Sequence, residues 1–393
     1  MDHPRLAVEN PATGQPITTV PDAGPAEVDK AVRAAVRAWP AWRASERHAA
    51  LMSCAVVVEE VAPVLAPVLT EEQGKPLREA ETEFAEAAAL FRHFAGAPPL
   101  AGHGPVAAIT PWHLPVRLAA ADLAPSFAAG DTVVLAPSPH TPLTTLYLGR
   151  MLAEVLPPGV LTVLTGRDPV GARLAGAPGL KRLTRERGGN DPAIVLPGTD
   201  PGAIAEKLFW SAFTNCGQLS MAVKRVYAVG SAYDGVVEAL AALAERTVVG
   251  DGRKPGTQLG PVNNRRQYDR VAGLVEEART DGARIATGGR LGGPGYFFAP
   301  AILAEAHDGM RVVREEQFGP ALPIVRCSTV DEAVGLANAT TPGSRGSVWG
   351  TDEEHVAEVA ARLERGTVWL NEHPATPAFS TASRGLNAGG IRG

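Results

Sequence analysis

Three stretches concentrate the side chains that can do chemistry. The first reads Arg185-Glu186-Arg187-Gly188-Gly189-Asn190-Asp191-Pro192. The second reads Phe213-Thr214-Asn215-Cys216-Gly217-Gln218-Leu219-Ser220-Met221-Ala222-Val223-Lys224-Arg225, and the third Pro111-Trp112-His113-Leu114-Pro115. Together they offer a carboxylate, a thiol, a hydroxyl and an imidazole. A thiol titrates near about 8.5 and is a usable nucleophile at neutral pH. A serine hydroxyl needs an adjacent base and a third group to orient that base. Cys216 precedes Ser220 by four positions, so the two share a face if the segment is helical. Gly217 argues for a loop, where that face does not exist, and a lone cysteine is most often a small buried apolar residue. Arg185 and Arg187 flank Glu186. Their charges lower a carboxyl pKa and weaken it as a base, or greet an anionic ligand, or simply sit in solvent.

The elements around these stretches alternate. Helices are expected over residues 26–39, 46–69, 78–96, 116–129, 144–154, 201–213, 232–246 and 267–281, from apolar residues at helical spacing. Pro63 and Pro67 should kink or end the second of them. Short apolar runs at 106–110, 131–135, 160–164, 193–196 and 224–229 read as strands. Strands that alternate with helices argue for parallel, doubly wound α/β sheets. Residues 97–105 form a Pro/Gly linker, and residues 288–300 are rich in Gly and Pro around Tyr296, Phe297 and Phe298, an aromatic patch for core packing or a pocket wall.

At 393 residues the chain exceeds one simple core and fits two domains. A net charge of −5 advertises no basic face, so nucleic acid is excluded as a partner. Three cysteines make no disulfide framework and point to a reducing, cytoplasmic setting. The N-terminus shows no signal peptide. The longest apolar run, 55–69, is interrupted by Glu59, Glu60, Pro63 and Pro67 and falls short of the roughly 20 apolar residues of a membrane span. There is no His-Glu-x-x-His, Cys-x-x-Cys or Gly-x-Ser-x-Gly, and no metal site is expected.

The first two stretches, with Glu71-Glu72-Gln73-Gly74-Lys75-Pro76-Leu77, Glu315-Glu316-Gln317-Phe318-Gly319-Pro320 and Trp369-Leu370-Asn371, resemble the aldehyde dehydrogenase superfamily over about residues 9–373. The resemblance implies an α/β fold of two doubly wound domains: a former cofactor-binding domain over 1–189 and a catalytic-type domain over 190–393. It also implies roles. Glu186 stands at the general base, Ser220 where the family has its nucleophilic cysteine, and His113 where it has the oxyanion-binding asparagine of Pro-Trp-Asn-Phe-Pro. Cys216 is the other candidate nucleophile. Glu316 and Trp112 are the remnant of the cofactor contacts, Glu316 at the nicotinamide ribose.

The departures matter as much as the matches. The Lys-Pro-Ser-Glu that meets the adenosine ribose is Ala136-Pro137-Ser138-Pro139 here, and only nineteen residues separate Gly166 from Glu186, so the Gly-Ser turn at the pyrophosphate is missing. Nine residues, 97–105, replace the subunit-bridging excursion, and Phe379-Ser380-Thr381-Ala382-Ser383-Arg384-Gly385 matches the closing motif poorly. The oligomerisation arm is therefore reduced or absent, and a monomer or a differently built dimer is expected. Nucleophile, oxyanion donor and cofactor handles change together. The expectation is a pseudoenzyme, or a non-redox enzyme of cyclisation, isomerisation, hydrolysis or acyl transfer, acting on a small molecule with no cofactor. The alternative is a residual dehydrogenase that keeps NAD or NADP.

Overall fold

The computed structural model describes residues 4–98, 100–177, 182–184, 188–339 and 345–374. Glu186, with Arg185 and Arg187, lies outside them, as does the tail motif at 379–385. The chain divides into two compact units, Met1–Glu186 and Arg187–Gly393.

The first unit opens with an antiparallel hairpin, β1 (Arg5–Asn10) and β2 (Gln15–Pro21), whose turn is closed by the Ala12 N–H donating to Asn10 Oδ1 at 2.8 Å. Three long helices follow: α1 (Pro25–Arg43), α2 (His48–Gln73) and α3 (Leu77–Ala95). The expected break in α2 does not occur. Pro63 and Pro67 lie one turn apart on its exposed face, so water satisfies the carbonyls that lose their N–H partners. Unbroken, α2 is also the one described helix long and apolar enough to cross a membrane by length and composition, contrary to the expectation from its prolines. Its buried face, including Leu51, Cys54, Val58 and Leu69, packs chiefly on α3.

An alternating run then builds the sheet: β3 (Val106–Thr110), α4 (Pro115–Ala129), β4 (Val133–Pro137), α5 (Pro142–Ala153), β5 (Leu161–Val163), α6 (Asp168–Ala175) and β6 (Arg182–Thr184). The strands are parallel in the order β5-β4-β3-β6. The chain walks outward from β3 to β5 and then crosses back to β6, so β3 sits at the switch point where α/β sheets open a crevice beyond the strand carboxyl ends.

The second unit runs β7 (Asp191–Val195), α7 (Pro201–Phe213), β8 (Val223–Val229), α8 (Ala232–Arg246), α9 (Arg265–Thr280), β9 (Arg284–Arg290), β10 (Phe298–Ala306), α10 (Arg311–Arg314), β11 (Ala321–Cys327), α11 (Val330–Ala339), β12 (Arg345–Trp349), α12 (Glu353–Ala360) and β13 (Thr367–Leu370). Its seven-stranded sheet has the order β13-β12-β7-β8-β11-β10-β9 and is parallel apart from the edge strand β9. The Gly/Pro-rich stretch is thus the link of a β9–β10 hairpin. Phe298 is buried in the core at the start of β10, its ring 6.1 Å from that of Tyr268, so the aromatic patch packs the core. Burial on both faces explains why β7, β8 and β11 are mostly apolar, interrupted by Asp191, by Lys224 and Arg225, and by Arg326.

Candidate functional site

In the second unit α7 ends at Phe213 and a single 3-10 turn, Thr214–Gly217, follows. Asn215 (φ 54°), Cys216 (φ 58°) and Gly217 (φ 69°) are all left-handed, so no helical face joins Cys216 to Ser220. The Cys216 side chain is 1% exposed and packs in the core with residues such as Leu196 and Tyr227, the role of a small buried apolar residue. What holds this strained turn is mutual hydrogen bonding. Asn215 Nδ2 donates to Gln218 O (3.3 Å), Gln218 Nε2 donates to Asn215 O (3.0 Å), and the Asn263 N–H donates to Gln218 Oε1 (2.8 Å).

Close backbone approaches bring the matched motifs together. A Cβ on Gly217 would lie 2.5 Å from Gly319 O, so the Glu-Glu-Gln-Phe-Gly-Pro loop rests directly on the Ser220 segment. A Cβ on Gly189 would lie 3.0 Å from Ser220 O, and one on Gly188 would lie 1.9 Å from Glu316 Oε2. The two glycines after Glu186 therefore let the backbone reach both the Ser220 turn and the Glu316 carboxylate. Ser220 itself is 7% exposed.

This turn also carries charge. Lys224, on buried β8, donates from Nζ to Gly217 O at 2.8 Å and lies 5.3 Å from the Phe318 ring centroid. Burial pushes its ammonium down to about 8, against the pull of Glu316 and Asp191. Burial likewise pushes Asp191 up to about 7, opposed by Arg345, Lys224 and Arg365. His373 is 1% exposed, and burial pushes its imidazole down to about 3. Its Nε2 lies 3.0 Å from Met221 O, the carbonyl next along from Ser220. Sequence reading missed both Lys224 and His373. Two adjacent cations, Lys224 and Arg225, inside a mostly apolar strand, and a histidine two residues past Trp-Leu-Asn, were the available signals.

In the first unit Trp112 and His113 occupy the loop from β3 to α4, at the switch point. Trp112 is half-buried and His113 is 4% exposed, with their rings edge to face at 6.2 Å. The loop is pinned from below. Lys75 Nζ donates to His113 O at 3.0 Å and pairs with Glu83, both side chains being 1% exposed. Glu83 Oε1 accepts the Val116 and Arg117 N–H groups at 2.8 and 3.1 Å, placing a carboxylate on the N-terminus of α4. Glu72 does the same for α5 through the Leu143 and Thr144 N–H groups at 2.7 and 2.8 Å, and burial pushes its carboxyl up to about 7 despite those bonds. Beyond the carboxyl ends of β3 and β4 lies a pocket of about 460 Å³, lined by residues including Ile109, Ala136, Ser138, Pro139 and Arg167. Among the described residues no group of three or more His, Cys, Asp or Glu side chains is placed to hold a metal.

These motifs have close counterparts. The aldehyde dehydrogenase family profile matches residues 1–181 and 165–392. Retinal dehydrogenase 2 of Gallus gallus is 33% identical over 425 aligned positions, covering 95% of this chain and 82% of that protein. Glutarate-semialdehyde dehydrogenase of Pseudomonas putida is 34% identical, covering 93% of this chain and 86% of its own length. Among solved structures, a lactaldehyde dehydrogenase superposes with a TM-score of 0.92 at 28% identity, covering 96% of this chain and 89% of that one. Betaine aldehyde dehydrogenase of Staphylococcus aureus, in complex with NAD+, gives 0.90 at 26% identity, covering 96% and 85%. With a profile match along most of its length and relatives at a third identity, this chain belongs to the aldehyde dehydrogenase family.

Proposed function

We propose that this family member no longer oxidises aldehydes with a nicotinamide dinucleotide, and that it binds or converts a small molecule without redox chemistry. The observation that carries this reading is the donor set of the first unit's pocket. Ala136 and Pro139 bring no polar handle for a ribose, and Ser138 Oγ already accepts the His140 N–H at 3.3 Å. Arg167, beside the N-terminus of α6, is turned to an ion pair with Asp22, and the first residue of α6 is the acidic Asp168. A pyrophosphate would meet a carboxylate there, and among the described residues lining the pocket the one cation, Arg167, is already paired. In the second unit the Glu316 carboxylate folds against Gly188 and answers the Lys224 ammonium, which leaves it a poor ribose ligand. These residues do not fit the dinucleotide.

What remains is a hydroxyl at Ser220 on an intact turn, an imidazole at His113, and the Glu186 carboxyl. His113 and Glu186 are the candidate acid and base for cyclisation, isomerisation, hydrolysis or acyl transfer. Residual dehydrogenase activity is the second reading. It is favoured by one observation: a pocket of about 460 Å³ lies beyond β3 and β4, where α/β sheets open a ligand crevice.

The test is NADH formation from a panel of aldehydes, for the native chain and for Ser220→Cys. Loss of the thiol alone predicts that the variant turns over. Loss of the cofactor contacts predicts that both stay silent. Turnover by the native chain that Ser220→Ala abolishes would overturn the proposal in favour of the second reading.

A further inference from the structure

The side chain that fixes the Ser220 turn from the sheet side comes from far along the chain. His373 follows β13 and turns back so that its ring lies 5.0 Å from that of Trp369. Its two nitrogens have distinct neighbours: Nδ1 is 3.0 Å from Ser347 Oγ, and Nε2 is 3.0 Å from Met221 O. A carbonyl only accepts, so Nε2 carries the hydrogen. In the neutral ring Nδ1 is then bare and must accept, so the Ser347 hydroxyl donates to it. That leaves a lone pair on Ser347 Oγ for the Trp349 Nε1–H, which lies 2.9 Å away. One direction of donation satisfies every group in the relay from Trp349 through Ser347 and His373 to Met221. Ser347, Trp349 and His373 are all nearly fully buried.

We infer that His373 is the positioning residue of the Ser220 turn: its Nε2–H holds the Met221 carbonyl and thereby sets the orientation of the Ser220 hydroxyl. The turn is short. The Ala222 N–H donates to Leu219 O at 3.3 Å, Gly189 packs against the Ser220 carbonyl on one side, and His373 takes the next carbonyl on the other. Restraint by an outer layer of buried hydrogen bonds is how a functional side chain is kept within the narrow range of positions its chemistry tolerates. Burial, with Arg345 and Lys224 nearby, keeps the imidazole neutral at ordinary pH, so it works as a fixed strut and not as an acid or base. The inference rests on the reading of the Ser220 turn as the functional element.

The experiment reads the turn without needing a substrate. Ser220→Cys places a thiol on it, and alkylation by iodoacetamide reports its exposure and mobility. The native thiols give a low background, because all three are buried and burial pushes Cys54 and Cys327 up to about 12. Removing the strut in Ser220→Cys/His373→Ala is expected to raise the alkylation rate about tenfold, the order of one well-made hydrogen bond. His373→Gln, whose amide restores a donor, should return the rate to the parent's. Ser347→Ala, which leaves the Nε2 bond to Met221 and removes the partner of Nδ1 and of the Trp349 N–H, should fall between. An unchanged rate in a folded His373→Ala protein overturns the inference. If that variant does not fold, the nitrogen shifts of the native chain decide: the His373 resonances, identified by their loss in His373→Gln, must show Nε2 protonated and Nδ1 bare, and the opposite tautomer overturns it. Alkylation measures the turn and not a reaction, so dinucleotide binding would sink the proposed function and leave this result standing.

Discussion

The loop that carries His113 and the turn that carries Ser220 are both built on buried charge, but in different ways. Beneath His113 the charges are balanced and committed. Lys75 meets Glu83, and Glu83 spends its other oxygen on the N-terminus of α4. Beside Ser220 they form a larger cluster, in which Arg345 and Arg365 also face Asp191. One ammonium, Lys224, lies under the influence of two carboxylates, Glu316 and Asp191, and burial draws Lys224 down and Asp191 up until both titrate within reach of neutral pH. The first arrangement is a structural brace. The second is the kind of perturbed cluster that gathers at working sites. The polar groups at the pocket beyond β3 and β4 are Ser138, Arg167 and Asp168, with Arg167 paired to Asp22, whereas the Ser220 turn lies against buried ionisable groups. The scaffold of the family persists in both places.

Breaking the brace should have the largest effect. Lys75→Met leaves the Glu83 carboxylate buried without its cation, at a cost of about 3–5 kcal/mol, and chemical denaturation with a probe in the first unit should show it. A change under 1 kcal/mol would mean that water reaches Glu83 and that the brace is not what holds the His113 loop.

Next comes the turn. Gly217→Ala meets the Gly319 carbonyl at 2.5 Å from a left-handed backbone, and neither obstacle can move aside. About 2–4 kcal/mol is expected. Gly188→Ala is the contrast: the atoms nearest its Cβ are the side-chain end of Glu316 and not backbone, so the protein should stay folded while the carboxylate swings away from its place. Equal losses of melting temperature in the two variants would erase the distinction drawn between backbone contact and side-chain contact.

The subtler effect is on pH. The His373 imidazole is held near 3 when folded, well below the ordinary value of about 6.5. The unfolded chain therefore binds the proton first. Stability from this group is complete above about 6.5 and is lost as pH falls toward 3, by up to about 1.4 kcal/mol per pH unit. Asp191 and Glu72, both raised to about 7, act in the opposite sense and lose stability as pH rises through the range from their unfolded values to about 7. Comparing the native chain with His373→Gln cancels those two. The native curve should fall away faster in acid, and parallel curves would show that His373 is not held neutral.

Much of this was legible in the sequence. Motifs in the right order gave the fold, and α7 and α8 fall where apolar spacing put them because their buried faces are regular. Other features were hidden for physical reasons. Pro63 and Pro67 suggested a break, since nothing local says that both face water. The β9–β10 hairpin was concealed by its glycines and prolines. Of the three left-handed residues at 215–217, Gly217 and Asn215 have a local preference for that region, whereas Cys216 has none and is held by the surrounding hydrogen bonds. His373 acts through residues far from it in the chain, which no spacing rule can reach. Glu186, Arg185 and Arg187 were the most legible candidates, and they lie outside the described residues.

The central claim is that the pocket and Glu316 have stopped serving a dinucleotide. Calorimetric titration of the native chain with NAD+ and with NADP+ tests it most directly. The account predicts no heat of binding for either. Micromolar binding of one would contradict it, return the pocket beyond β3 and β4 to cofactor use, and make Ser220 the residue whose chemistry must be explained next.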